Sequence, residues 1–275
     1  MNDYPFKSIL LATEHSNFDA GAERVAFGMA KRCGIPLRVV IPLLSNAVYE
    51  VEAPQLVLRA EQAAASNAEK LRASAKEFNV ELDIQIRRGA EAHQEIVAEA
   101  VASQADLIVI RRRGNPGFLA NLLVGEMVSK VIRDAPCAVL TVPRAAEFWQ
   151  RQALAAVNDA PASSRVTELA AKISAACGIP LALVSVAAEQ SAQTEASSCN
   201  AENLARAAAI YPQAQGRVLL GQPVEQILAA AKEMSADLIV IGRQRYHLIP
   251  FSLGDKSIMQ QVAGAMAVTT LIVPA

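Results

Sequence analysis

Cys33-Gly34-Ile35-Pro36-Leu37 returns as Cys177-Gly178-Ile179-Pro180-Leu181, and Ala105-Asp106-Leu107-Ile108-Val109-Ile110 returns as Ala236-Asp237-Leu238-Ile239-Val240-Ile241. Two strings repeated in the same order mark one structural unit used twice. The front strings lie 144 positions apart and the rear strings 131, so the second copy lacks 13 residues between them. In the first copy that interval holds Gln55 to Phe78, an Ala-rich stretch with Leu56, Ala60, Ala63, Ala64 and Leu71, which predicts a helix with an irregular lead-in. The second copy offers only Glu195 to Ile210 there.

Outward from these anchors the hydrophobic period alternates. Ile9-Leu10-Leu11-Ala12 is a short apolar run suited to a strand buried on both faces, and Ala22, Val25, Ala26 and Met29 then form one helical stripe. Val166, Leu169, Ala170 and Ile173 repeat the stripe. Gly34 and Gly178 read as helix stops, with second strands over Leu37 to Ile41 and Leu181 to Val186. Val80, Leu82, Ile84 and Ile86 alternate with Glu81, Asp83, Gln85 and Arg87, which suits a sheet edge with one wet face. A helix near Gln94 to Ser103, the strand Leu107 to Ile110, a stripe of Val124, Met127, Val128 and Val131, and the strand Ala138 to Val142 complete the copy.

The pattern predicts an α/β fold: two tandem doubly wound five-stranded parallel sheets, each in strand order 3-2-1-4-5. The domains are placed at 1–146 and 150–275, the second shorter and degenerate, with a linker near Arg144 to Gln152 whose Trp149 is expected to pack between the halves.

Composition narrows the function. Of the 275 residues 52% are hydrophobic, enough for a substantial core, and the net charge is −1, so no basic surplus exists to neutralise nucleic acid or anionic lipid. No apolar run reaches membrane-span length and the start lacks a secretory layout, which places the protein in the cytoplasm. The four cysteines form no Cys-x-x-Cys pair: Cys33, Cys137 and Cys177 read as packing residues, and Cys199 as the more exposed thiol. His15, His93 and His247 are scattered, with solvated surface expected for the last two. With no metal spacing and no nucleophile elbow, catalysis is not expected.

In an open doubly wound sheet the ligand crevice opens at the carboxyl ends of strands one and four. That sets Thr13-Glu14-His15-Ser16 opposite Arg111 to Gly117, and Val157-Asn158-Asp159 opposite Gly242 to Arg245. Gly114-Asn115-Pro116-Gly117 leads into a helix and can aim backbone N–H groups at an anion, or simply connect the elements.

Together, the Ile-Leu-Leu-Ala-Thr-Glu opening, the run from Ala105, the glycine turn with a later Gly125, and Ala135-Pro136-Cys137-Ala138-Val139-Leu140 resemble the universal stress protein family. The resemblance implies a tandem member with an adenine nucleotide alpha hydrolase-like, Rossmann-like fold. In nucleotide-binding members, Gly, two residues, Gly, nine residues, Gly and Ser or Thr cradle the triphosphate of ATP. Carried over, that pattern and the strand-one turn make Thr13, Glu14, Val40, Arg111, Gly114, Gly117, Gly125 and Glu126 the candidate contacts of the first copy. Asn158, Gly242, Arg245 and Gly254 are those of the second.

The chain departs from the pattern at several of these positions. Arg111 stands at the first Gly position of copy one and Arg245 at the second of copy two, while Glu126 and Asp255 replace the hydroxyl. A like charge about 5 Å away at an effective dielectric near 20 costs about 3 kcal/mol, or more than a hundredfold in affinity. Arg111, Arg112, Arg113, Arg243 and Arg245 either offset this toward phosphate or neutralise neighbouring carboxylates. Glu14 stands one methylene longer than the usual Asp, and Asn158 is its uncharged counterpart; both either anchor a ligand or cap the following turn.

The expectation is a cytoplasmic stress-response binding or regulatory protein with degenerate nucleotide motifs, no ordinary ATP binding and no cofactor. It would act through a protein partner or a less charged small ligand, with copy one the better binding candidate. The alternative is an ATP- or AMP-binding regulator, with slow hydrolysis, whose arginines compensate for Glu126 and Asp255. The resemblance also implies association through the last strands, so that the two copies form an intramolecular pseudo-dimer; pairing with a second chain into a homodimer stays open.

Overall fold

The computed structural model describes residues 4–45, 47–112, 125–243, 262 and 268–275, with backbone alone for 47–49. They divide into two units: 6–112 with 125–148, and 4–5 with the described part of 149–275. The first runs β1 (Ile9–Ala12), α1 (Ala20–Cys33), β2 (Leu37–Leu44), α2 (Ala47–Glu52), α3 (Pro54–Glu77), β3 (Leu82–Gly89), α4 (Ala92–Ala102), β4 (Leu107–Arg111), α5 (Glu126–Asp134) and β5 (Ala138–Val142). The second runs β6 (Ala153–Ala156), α6 (Ser163–Cys177), β7 (Leu181–Ala187), α7 (Gln193–Ala208), β8 (Gln215–Leu220), α8 (Pro223–Glu233), β9 (Leu238–Gly242) and β10 (Thr269–Val273).

Each unit is a parallel five-stranded sheet, ordered β3-β2-β1-β4-β5 in the first and β8-β7-β6-β9-β10 in the second. This is the expected order in both. The central strands β1, β4 and β5 are buried along their whole length, as continuous apolar runs require. The repeated strings have structural causes. Gly34 and Gly178 both end their helices at φ 66°, a left-handed position where a side chain is strained. The aspartate of the second string anchors the start of each sheet: Asp106 accepts the backbone N–H groups of Lys7 and Ser8, and Asp237 those of Gln150, Arg151 and Gln152.

Between the anchors the units are braced differently. In the first, Glu99 of α4, 3% exposed, accepts Arg38 of β2 at 3.0 Å and Arg87 of β3 at 3.1 Å, and the same arginines reach Asp83 and Glu95. In the second, Ala182, Leu219 and Ala230 occupy the equivalent places by strand register and repeat offset. The missing 13 residues fall where expected: the six-residue α2 is matched only by a 3₁₀ turn over Gln190–Ala192, and α3 has 24 residues against 16 in α7.

Two expectations change. His93 is buried, not solvated, because it opens α4 against α5, with Nδ1 3.0 Å from Glu91 and Nε2 3.9 Å from Asp134. The edge strand β3 does not keep one clean apolar face: Ile86 is exposed while Arg87 turns in to meet Glu95 and Glu99. Residues 4–5 group with the second unit, where the Tyr4 hydroxyl lies 4.0 Å from Cys177 Sγ. Trp149 is fully buried and groups with the second unit. No disulfide joins any of the four cysteines. No described helix is long and apolar enough to cross a membrane.

Candidate functional site

Both sheets reverse their winding between the first and fourth strand, so each half has a crevice at the carboxyl ends of β1 and β4 or of β6 and β9. The loops enter alike. Thr13 N donates to Val40 O at 3.1 Å, and Val157 N to Val184 O at 2.9 Å, so Val40 and Val184 are equivalent floor positions.

In the first half the crevice is filled by the protein itself. Thr13 Oγ1 donates to Glu23 Oε1 at 2.7 Å and accepts His15 N at 2.9 Å. His15 sits at φ 55°, a left-handed turn uncommon for a side-chain residue, and its Nδ1 lies 3.1 Å from both Glu23 oxygens. Asp19, just before α1 and 1% exposed, accepts the Ser16 N–H and hydroxyl at 2.9 and 2.6 Å. Onto this cluster β4 projects Arg111, 5% exposed. Its Nη1 donates to Ser16 Oγ at 2.8 Å and Asp19 Oδ2 at 3.1 Å, and its Nη2 to Glu14 Oε2 at 3.2 Å. Every strong charge-assisted contact this guanidinium makes is internal, and Asn67 of α3 fixes the Glu14 carbonyl at 3.0 Å.

Glu126 stands apart from that cluster. Its side chain is 85% exposed at the start of α5 and pairs with Lys130 at 3.3 Å, one helical turn on. The repulsion estimated from sequence took an effective dielectric near 20; a charge this exposed is screened further by water and salt. Gly125 precedes Glu126 and its carbonyl accepts Ser129 N at 3.0 Å. Burial lowers the Arg112 pKa from its ordinary value. Gly114, Gly117, Arg245 and Gly254, with Arg113, His247 and Asp255, lie outside the described residues.

In the second half the position of Arg111 is Gly242, and the crevice is open. A Cβ on Gly242 would stand 3.0 Å from Ala162 Cβ and 3.6 Å from Val166 Cγ2. The strand thus packs closely on α6 there, and beside it a cleft of about 110 Å³ lies between Val157, Val184, Val186, Ile227, Ile241 and Gly242. Asn158 caps the turn at its rim: its Oδ1 accepts Ala160 N at 3.2 Å and the Ser163 hydroxyl at 3.0 Å, while its N–H donates to Ser163 Oγ at 3.0 Å. Asn158, Ala160 and Ser163 also border a larger groove of about 400 Å³, reaching Asp159, Glu195, Cys199 and Glu202 along α7. The Cys199 pKa is raised from its ordinary 9.0 chiefly by burial, with Asp159, Glu202 and Glu195 adding to the effect, so the thiol is less reactive than a free one.

The structure thus ties Arg111 to Glu14, Ser16 and Asp19, groups Thr13 with Glu23 and His15 on the same loop, sets Val40 at the floor, and holds Glu126 outside both groups. Ser16 is placed at the crevice by its position after strand one; Asp19 and Glu23 were not legible as site residues. Val184 of the second half was: the offset of 144 maps it directly onto Val40.

Comparison with known proteins follows the same division. The model of the "Universal stress protein family" matches twice, over residues 5–143 and 151–274. A universal stress protein of Thermus aquaticus is 35% identical over 144 residues, covering 50% of this chain and 98% of its own. One of Methanocaldococcus jannaschii is 26% identical over 147 residues, covering 50% and 83%. A solved universal stress protein of Archaeoglobus fulgidus aligns over 97% of this chain and 98% of its own at TM-score 0.78 and 17% identity, which speaks to fold alone.

Proposed function

This chain belongs to the universal stress protein family as a tandem two-domain member, and from that premise we propose that only its second half holds a small ligand, while the first is a closed copy. The observation that carries this reading is the pair Arg111 and Gly242. At one position of the repeat, a buried guanidinium tied to Asp19, Glu14 and Ser16 occupies the crevice; at the other, no side chain enters and the cleft lies beside it. A ligand entering the first crevice must displace Arg111 from Asp19, and stranding one partner of a buried ion pair costs about 3–5 kcal/mol. That is more than two decades of affinity.

Size and polarity bound the second site. An apolar cavity of about 150 Å³ holds one benzene ring, so a cleft of about 110 Å³ buries at most one ring of a ligand and leaves the remainder outside it. The proposed ligand is therefore a small ring compound, for which adenosine is the natural probe, and not ATP. Arg111 does not serve as a phosphate clamp in this reading, since both of its terminal nitrogens are already held, by Ser16 and Asp19 on one side and Glu14 on the other. The protein acts by binding, as a stress-response regulator rather than as a catalyst.

The test is thermal denaturation with adenosine, AMP and Mg-ATP, on wild type and on Gly242→Leu. Adenosine raising the Tm of wild type but not of Gly242→Leu, with no rise for Mg-ATP, is the expected result. A rise with Mg-ATP that survives Gly242→Leu would overturn it.

A further inference from the structure

The first crevice has a second fastening behind Arg111. Arg111 pairs with Val142 across β4 and β5, and Val142 O accepts the N–H of Arg112 at 2.8 Å. From Val142 the chain turns over α1. Pro143 and Arg144 lay their carbonyls on Gly21: a Cβ there would overlap Pro143 O and stand 2.8 Å from Arg144 O, so glycine alone admits the approach. The Arg144 guanidinium lies 5.7 Å from the Phe18 ring. Further along α1, Arg24 Nη1 donates to Ala146 O at 2.6 Å and pairs with Glu147 at 2.9 Å. Arg32 lies 4.3 Å over the Phe148 ring, which packs on Gly28. Gly21, Arg24, Gly28 and Arg32 share one helical face, so residues 143–148 form a strap along α1. The first two contacts of the strap, Phe18 and Gly21, bracket Asp19, the buried acceptor of Arg111. Arg111, Asp19, Gly21, Pro143 and Val142 thereby close one ring of neighbouring groups. In the second half the repeat offsets put an exposed Arg165 where Gly21 stands and Gly242 where Arg111 stands. Glycine and arginine have traded places, and the half without the arginine lacks the seat as well.

Resting on the reading above of the first half as a closed copy, we infer that the strap is part of what closes it. Gly21 is a positioning residue: it lets residues 143–148 clamp the first turn of α1, and with it Asp19, onto Arg111. The coupling runs through contacts that are packed or hydrogen-bonded at every step. Freeing the strap loosens Asp19 from Arg111, so the arginine alone does not keep the crevice shut.

Two readouts on the full chain separate the strap from the crevice. Tryptic cleavage after Arg144 reports whether the strap is seated, and hydrogen exchange of the Ser16 amide, which donates to Asp19 Oδ2 at 2.9 Å, reports on Asp19. Arg24→Ala unties Ala146 and Glu147 and changes no partner of Asp19; Gly21→Ala unseats the start of the strap. Both are expected to quicken cleavage severalfold and Ser16 exchange severalfold relative to the β2 amides, Gly21→Ala the more. The Arg24 side chain is 36% exposed, so Arg24→Ala carries the test if Gly21→Ala does not fold. Faster cleavage with Ser16 exchange no faster than in β2 would make the strap a tether only and overturn the inference, leaving Arg111 as the closure. Cleavage no faster in either variant than in wild type would overturn it too. Mg-ATP stabilisation that survives Gly242→Leu would instead overturn the closed-copy reading, whatever the strap does.

Discussion

At the end of the fourth strand of each half the chain makes opposite choices. Arg111 fills one crevice and Gly242 vacates the other, and the neighbours follow suit: Asp19 and Glu23 are buried polar partners in the first, while Val157, Val184 and Ile241 line the second. The same contrast recurs beneath the sheet, where Glu99 bridges Arg38 and Arg87 in one half and Ala182, Leu219 and Ala230 stand in the other. One backbone plan thus accommodates an ionic solution and an apolar one, because parallel-strand pairing and helix stops are set elsewhere. What differs is whether polar groups satisfy one another or are absent.

The comparison can be broken most sharply at Arg111. Arg111→Ala leaves Asp19 buried without its cation and should lower the stability of the first half by about 3–5 kcal/mol in urea unfolding. Adding Asp19→Asn should recover part of the loss, since removing both charges is cheaper than removing one. A loss under about 1 kcal/mol would mean the network is ornamental and the crevice not closed by it. Glu99→Ala comes next. Arg38 and Arg87 are each about a third exposed, 34% and 33% by side chain, so water compensates in part and a loss of about 1–2 kcal/mol is expected. A loss below about 0.5 kcal/mol would dissolve the contrast between the two braces.

The smallest effect sharpens the comparison through pH. Lys130, hydrogen-bonded to Glu91 at the head of α4, holds the Glu91 carboxyl below its ordinary 4.5, with His93 contributing. A carboxylate depressed in the folded state stabilises above its unfolded pKa, and that contribution is lost as pH falls through the folded value. Acid unfolding of Glu91→Gln should therefore depend less on pH below about 4.5 than wild type, with stability near neutrality little changed. Gln222 stands at the equivalent place in the second half and titrates nothing, so the difference should be confined to the first.

The sheets were legible because their signals are local and repeated. The apolar runs of β1, β4 and β5, the glycines after α1 and α6, and the second copy of each fixed the element order without any contact being known. The sites were legible only by position. Arg111 and Glu14 could be placed at one crevice, but whether the guanidinium faces a phosphate or the chain's own carboxylates depends on rotamers and on Asp19, which carried no periodic signal. His93 was misjudged for a related reason: a lone histidine opening a helix looks solvated until the packing of α5 against it is known. The cleft of the second half lies beside Gly242, and a sequence names the residues around a space without showing that the space is there.

Arg111 also bears on how such a chain can evolve. A pair of halves that begin alike can lose binding in one by a single substitution, once an arginine finds acids within reach. Going back is harder. Restoring glycine at 111 alone would strand Asp19, at a cost comparable to a large share of a domain's usual 5–15 kcal/mol of stability. The route home needs two changes, and the intermediate is the least stable of the three sequences. On the binding reading proposed above, the first half is in that sense held by a ratchet.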